Sequence, residues 1–229
     1  LVVDQGNLTL NGVTGTLTGS ANVASGSRLI FVQCSITNSA PVNFSGPGRS
    51  TFESGTLWLG GSVQPAGLQL IGGNLQLLPT FQGGSISNLV LQGITLVGTN
   101  RVQGLLSTTN GRIHGSLVIE PSGRFDISGT GLSAVDEWHV LNLGTVRWLA
   151  GTVSYDSIAA GSRFTNANLL EIHGDSSWTY SYSGPVPTFR NEGTVRKLNG
   201  TGNSTFQNLN FDNPGTVEAS TGTIFLPSS

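Results

Sequence analysis

The chain has 229 residues, of which 37% are hydrophobic and only 10% charged, against about 25% charged in an average domain. That length suits one sizeable core or a stack of roughly ten small coils. A formal net charge of −2 with a single lysine excludes a general electrostatic attraction to nucleic acid or anionic membrane. No apolar run approaches the ~18 residues of a transmembrane helix.

Gly, Ser, Thr and Asn carry the polar balance. They suit turns and strands and are poor helix formers. No stretch of ten or more residues has helical apolar spacing free of Gly or Pro. The expected class is therefore all-β.

Short strand patterns run along the whole chain. In order they are Leu8–Leu10, Leu29–Val32, Thr56–Leu59, Leu68–Leu70, Leu75–Leu77, Leu89–Leu91, Leu117–Ile119 and Arg124–Ile127, separated by Gly, Asn, Ser or Pro. Cys34 alternates with apolar neighbours and reads as a buried thiol, with an interchain disulfide as the alternative. Asn7, Asn43, Asn199 and Asn203 each begin an Asn-x-Ser/Thr tripeptide, a pattern expected by chance in so Asn- and Thr-rich a chain. Gly55, Gly73, Gly93 and Gly111 recur at intervals of about 18–22 residues, the rhythm of a repeat.

After residue 115 the repeat becomes explicit. Val140–Val146, Phe164–Leu170, Phe189–Val195 and Phe211–Val217 share the form apolar-x-Asn-x-Gly/Asn-x-apolar, at steps of 24, 25 and 22 residues. Ile119–Phe125 fits the same frame at its apolar and Gly positions, with Pro121 in the Asn place. A unit of this length cannot bury its apolar face alone, so copies must stack.

Stacked in register, the segments form columns. Ile119, Val140, Phe164, Phe189 and Phe211 make one, and Phe125, Val146, Leu170, Val195 and Val217 another. Asn142, Asn166, Asn191 and Asn213 make a ladder of amides that can hydrogen-bond along the stack. Three residues past each corner stand Asp126, Arg147, Glu171, Arg196 and Glu218, whose charges alternate through five coils. Opposite charges on adjacent strands attract, and a slipped register would bring like charges together.

The fold expected is a single β-solenoid over 1–229, most regular over 115–226. Residues 175–187, aromatic and Pro-bearing, read as a loop inserted between two coils. A β-sandwich or Greek-key barrel is the alternative, and it requires antiparallel neighbours. The missing Met and signal peptide suggest a processed product or a segment of a longer chain. A strand pattern still running at Thr221–Leu226 without a capping helix leaves an open edge, which implies that the chain continues or that another subunit covers that end.

The Asn-x-Gly-Thr-Val segments, Gly-rich corners and charge-poor strands resemble the right-handed parallel β-helices of secreted bacterial proteins. They look like the coils of filamentous-haemagglutinin-like and autotransporter-like surface adhesins. The resemblance covers 115–226 and implies an extracellular or cell-surface rod with a structural or adhesive role. Its partners would be glycans, a surface receptor or identical subunits, met end to end or laterally, with no nucleic acid and no cofactor.

The alternative is a polysaccharide lyase or hydrolase, or a carbohydrate-binding domain, on the same scaffold. Such enzymes cluster carboxylates for Ca²⁺ binding or acid–base work. Asp136-Glu137-Trp138-His139 is the densest local cluster, but strand neighbours point to opposite faces. His114 and His173 loosely resemble one polygalacturonase element, without its paired Asp and Arg-x-Lys partners. No nucleophile elbow, zinc motif or phosphate loop occurs. Thr145, Thr194 and Thr216 align, but Arg124 and Leu169 interrupt an ice-binding-like column. The binding candidates are aromatic. Trp178, Tyr180 and Tyr182 alternate and project to one side, with Trp148 and Tyr155 one coil earlier. They either meet a ligand or cover the apolar wall of the helix.

Overall fold

The computed structural model describes residues 1–38, 42–61, 67–155, 161–180 and 185–227, with the side chains of 133–137 outside that description. Every described strand pairing is parallel and joins a strand to its counterpart one coil away. The result is a β-solenoid of about ten turns, with no α-helix among the described residues. Parallel pairing throughout excludes the sandwich and the Greek-key barrel.

Three ladders of strands make the walls. The first runs through Ser20–Val23 and Asn43–Ser45 and, farther on, through Arg163–Asn166, Thr188–Asn191 and Asn210–Asp212. The second includes Asn7–Asn11, Arg28–Val32 and Arg49–Phe52, and then Arg124–Ser128, Thr145–Trp148, Leu169–Ile172, Thr194–Lys197 and Thr216–Ala219. The third includes Cys34–Asn38, Gly55–Leu59 and Asn74–Leu77, and later Thr152–Tyr155, Ser177–Tyr180 and Asn203–Gln207. Long strands Thr95–Thr109, Arg112–Ile119 and Gly131–Asn142 bend from one wall into the next.

Alternation decides what faces inward. In Gly55–Leu59, Leu57 and Leu59 are fully buried and Trp58 is not. In Thr188–Asn191, Phe189 and Asn191 are buried and Arg190 faces out. Cys34 is sealed in the interior with its Sγ 3.2 Å from Leu10 O, which places the thiol in the core.

The expected columns over 125–217 are present in register. Val140 pairs with Phe164, Phe164 with Phe189, and Phe189 with Phe211. The Phe164, Phe189 and Phe211 rings stack at 5.1 Å with interplanar angles of 7° and 2°. Phe125, Val146, Leu170, Val195 and Val217 align likewise.

One step of the alignment is corrected. Leu117, not Ile119, pairs with Val140, and Ile119 pairs with Asn142. The corner after Ile119 is two residues longer than the corner after Asn142, because both lead to the aligned pair Phe125 and Val146. The extra residues form a turn closed by Gly123 N–H donating to Glu120 O at 2.7 Å. Ile119 therefore fills the Asn position, and Pro121 lies in the turn outside it.

The glycine rhythm marks corners. Gly55 has φ +103°, and a Cβ there would stand 2.0 Å from Cys34 O. Only glycine allows that conformation together with that coil-to-coil approach. One coil set departs from the rhythm: the left-handed residue beside Gly111 is Asn110, φ +58°, a conformation Asn tolerates.

Candidate functional site

The predicted aromatic loop is a strand over part of its length. Ser177–Tyr180 joins the third wall between Thr152–Tyr155 and Asn203–Gln207. Trp178 and Tyr180 do project to one side, and that side is the core. Trp178, Trp148 and Tyr155 are at most 1% exposed and Tyr180 is 4% exposed. Trp178 meets Trp148, Phe164, Phe189 and Phe206 at centroid distances between 4.9 and 5.9 Å. Burial pushes the pKa of the Tyr155 phenol far above its ordinary value, so the ring stays neutral. These four rings are packing elements in this structure. Tyr182 lies outside the described residues.

Of the acidic cluster, the Asp136 and Glu137 side chains lie outside the description, Trp138 is buried and His139 faces out. The backbone register shifts between His114 and Ser116 opposite this cluster. His114 is half-buried on the third wall. His173 stands on the second, its Nε2 3.3 Å from Glu171 Oε2 and its Nδ1 3.3 Å from Asn199 Nδ2.

The asparagine ladder is continuous. Asn142 Nδ2 donates to Asn166 Oδ1 at 2.7 Å, Asn166 to Asn191 at 2.8 Å, and Asn191 to Asn213 at 2.6 Å. The second N–H of each donates to a backbone oxygen of the next coil, Leu169 O, Thr194 O and Thr216 O. Asn142, Asn166 and Asn191 are wholly buried. An unpaired amide there would cost about 1–3 kcal/mol, which is why pairing runs through every rung.

The charge ladder is also in register. Asp126 neighbours Arg147, Arg147 neighbours Glu171, Glu171 neighbours Arg196, and Arg196 neighbours Glu218. Arg147 lies 3.7 Å from Asp126, and Arg196 pairs directly with Glu218. Asp126 is buried, whereas the Arg196–Glu218 pair is exposed and worth about 0–1 kcal/mol, so at that end the ladder sets register more than stability.

Elsewhere Arg28 pairs with Glu53, Arg101 with Glu120, and Arg190 with Glu192 and Asp212. These carboxylates are spread along the stack, each beside a cation.

Lys197 was hidden from pattern reading. It continues the inward column of Trp148 and Ile172 and is completely buried. Its ammonium donates to Asp175 Oδ1 at 2.6 Å, Ser204 Oγ at 2.9 Å and Gly202 O at 3.1 Å. The hydrogen bond from Lys197 holds the Asp175 carboxyl below the usual carboxylate range, with help from Gly202 N–H and against partial desolvation. All three ammonium protons are used, so this is a clip between coils.

Trp58 is the outward tryptophan. Of four tryptophans, Trp138, Trp148 and Trp178 are in the core, whereas Trp58 is half-exposed on the third wall. Its Nε1 donates to Gln76 Oε1 one coil on, at 2.6 Å. Thr37, Trp58, Gln76, Val97 and His114 form its column. The parallel column is Ser35, Thr56, Asn74, Thr95 and Arg112. The signal in the sequence was Thr56-Leu-Trp-Leu59: inward Leu57 and Leu59 force the ring outward.

Comparison with known proteins finds no match to a family model, to a curated protein or to a solved structure.

Proposed function

We propose that this chain is a structural and adhesive segment of a secreted or cell-surface protein. It acts as a rigid β-solenoid rod that presents its walls to glycans, surfaces or identical subunits. One observation carries the reading: the charged and amide side chains run along the stack as ladders. Among the described residues, eight carboxylates stand beside cationic or imidazole partners, spread from Glu53 to Glu218. Acid–base chemistry on a glycan needs two carboxyls facing one bond. The asparagine ladder and the pairs Arg147–Asp126, Arg190–Asp212, Arg196–Glu218 and Lys197–Asp175 instead tie one coil to the next.

The mechanism would be mechanical. A parallel stack pairs every inner coil with two neighbours, so force is shared across three walls of backbone hydrogen bonds.

The test is attachment under flow. Beads coated with the protein are passed over glycan, mineral, plastic and self-coated surfaces, and the medium is analysed for released sugars. Shear-resistant attachment without sugar release is expected. Sugar release at catalytic turnover would overturn the reading in favour of an enzyme.

A further inference from the structure

We infer that the third wall around Trp58 is a binding platform for an extended, uncharged polysaccharide. This deepens the adhesive reading and rests on it.

The ring is the anchor. Trp58 is half-buried on an outward position, and its indole N–H is already committed to Gln76 Oε1. That bond ties the ring to the next coil and restricts its rotation. A fixed aromatic plate loses little conformational freedom on binding. An indole face offers apolar area for the C–H face of a pyranose. Gln76 retains its side-chain N–H donors for a sugar hydroxyl.

The surroundings fit a chain rather than a single sugar. Thr37 lies one coil before Trp58, and Thr56, Asn74 and Thr95 stand on three successive coils of the adjacent column. Coils repeat at the spacing of paired strands, about 4.8 Å, so each coil adds a hydroxyl or amide rung about one sugar ring apart. A straight ladder selects an extended β-linked chain over a coiled one.

Charge selects the class. The ten residues of the two columns contain no carboxylate, and their only charged or titratable members, Arg112 and His114, stand at one end. Around Trp58 itself the rungs are neutral. A polyanion would find no cation there, and a neutral polymer has no charge to desolvate.

The experiment is titration of the intact chain with cellohexaose, laminarihexaose and chitohexaose, and with polygalacturonate as the charged control. Binding is read by calorimetry and by tryptophan fluorescence. Trp138, Trp148 and Trp178 are buried, so a ligand-induced change reports on Trp58. Affinity for at least one neutral hexamer is expected, falling with the trimer of the same sugar. Trp58→Ala should weaken it at least tenfold, Gln76→Ala by less, and Trp58→Tyr should largely restore it. Circular dichroism checks that each variant keeps the wild-type fold.

No binding to any neutral hexamer would overturn the inference. So would equal affinity in Trp58→Ala, or a preference for polygalacturonate. Shear-resistant attachment that survives Trp58→Ala would leave the adhesive rod standing and remove this site from it. Loss of attachment to every surface by the wild type would remove the rod reading itself.

Discussion

The coils from Arg124 to Ala219 and those from Asn7 to Val97 reach the same parallel stack by different means. In the later coils like sits on like. Asn lies over Asn, Phe over Phe, and opposite charges alternate. In the earlier coils the inward columns are matched only as apolar residues, with Leu57, Leu75 and Leu96 in one and Phe31 and Phe52 in another, and the outward column of Thr37, Trp58, Gln76 and Val97 mixes residue types, with no amide or charge ladder along it. Their cores are built from Leu29, Phe31, Leu57, Leu59, Leu75 and Leu96. The backbone ladder and an apolar core thus suffice to hold a coil. The side-chain ladders add cooperativity and register on top of it.

Corners make the same contrast. After Asn166 the chain turns with its corner amide bonded to the coil beyond. After Ile119 a longer turn, closed on itself by Gly123 and Glu120, replaces the amide. At the later corner Gly193 is pressed so closely that a Cβ would stand 2.0 Å from Asn168 O.

The largest expected effect is on the ring stack. Phe189→Ala opens a cavity between Phe164 and Phe211 and should cost about 3–5 kcal/mol in chemical denaturation. Leu75→Ala in the earlier core should cost about 2–5 kcal/mol. If cooperativity differs as the contrast requires, Phe189→Ala also destabilises its neighbouring coils, whereas Leu75→Ala acts locally. Hydrogen exchange resolved by coil distinguishes the two.

Next comes the amide ladder. Asn166→Ala removes the acceptor for Asn142 and the donor to Asn191 and Thr194. Destabilisation of about 1–3 kcal/mol is expected, since buried partners lose their bonds. A neutral outcome would mean that the ladder is ornamental to a stack already fixed by its backbone.

The clip sharpens the comparison through an asymmetry. Asp175 is exposed and rehydrates when Lys197 is lost, whereas Lys197 is buried and cannot hydrate when Asp175 is lost. Asp175→Ala should therefore destabilise more than Lys197→Met. The lowered pKa of Asp175 sets the pH dependence. Its contribution is complete above the unfolded value of about 3.9 and is lost as pH falls through the lower folded value. The melting temperature of the wild type should drop over that acid range, and Asp175→Ala should lose that part of the drop.

The smallest effect belongs to the charge ladder. Arg147→Glu places three like charges in a row with Asp126 and Glu171, for about 1 kcal/mol or less that high salt should erase.

These differences explain what could be read in advance. Columns of identical residues announce their own register, so Asn142 to Asn213 and Asp126 to Glu218 were legible in sequence. Ile119 was misplaced because turn length is free to change between coils, and an apolar residue can fill either of two inward positions. Trp178 and Tyr180 alternate correctly, but alternation says which residues share a side and not which side is the core. The nearby Asp175, Pro185 and Pro187 suggested a loop. Lys197 violated its apolar column, and its buried role depended on Asp175 and Ser204, 22 and 7 residues away. Trp58 was recoverable from its two leucine neighbours.

Single-molecule pulling along the stack tests the central claim most directly. The coils from Thr145 to Ala219 should release together, in one step and at higher force than those from Asn7 to Val97. Asn166→Ala should split that step. Coil-by-coil release at equal force along the whole chain would contradict a rod stiffened by its side-chain ladders.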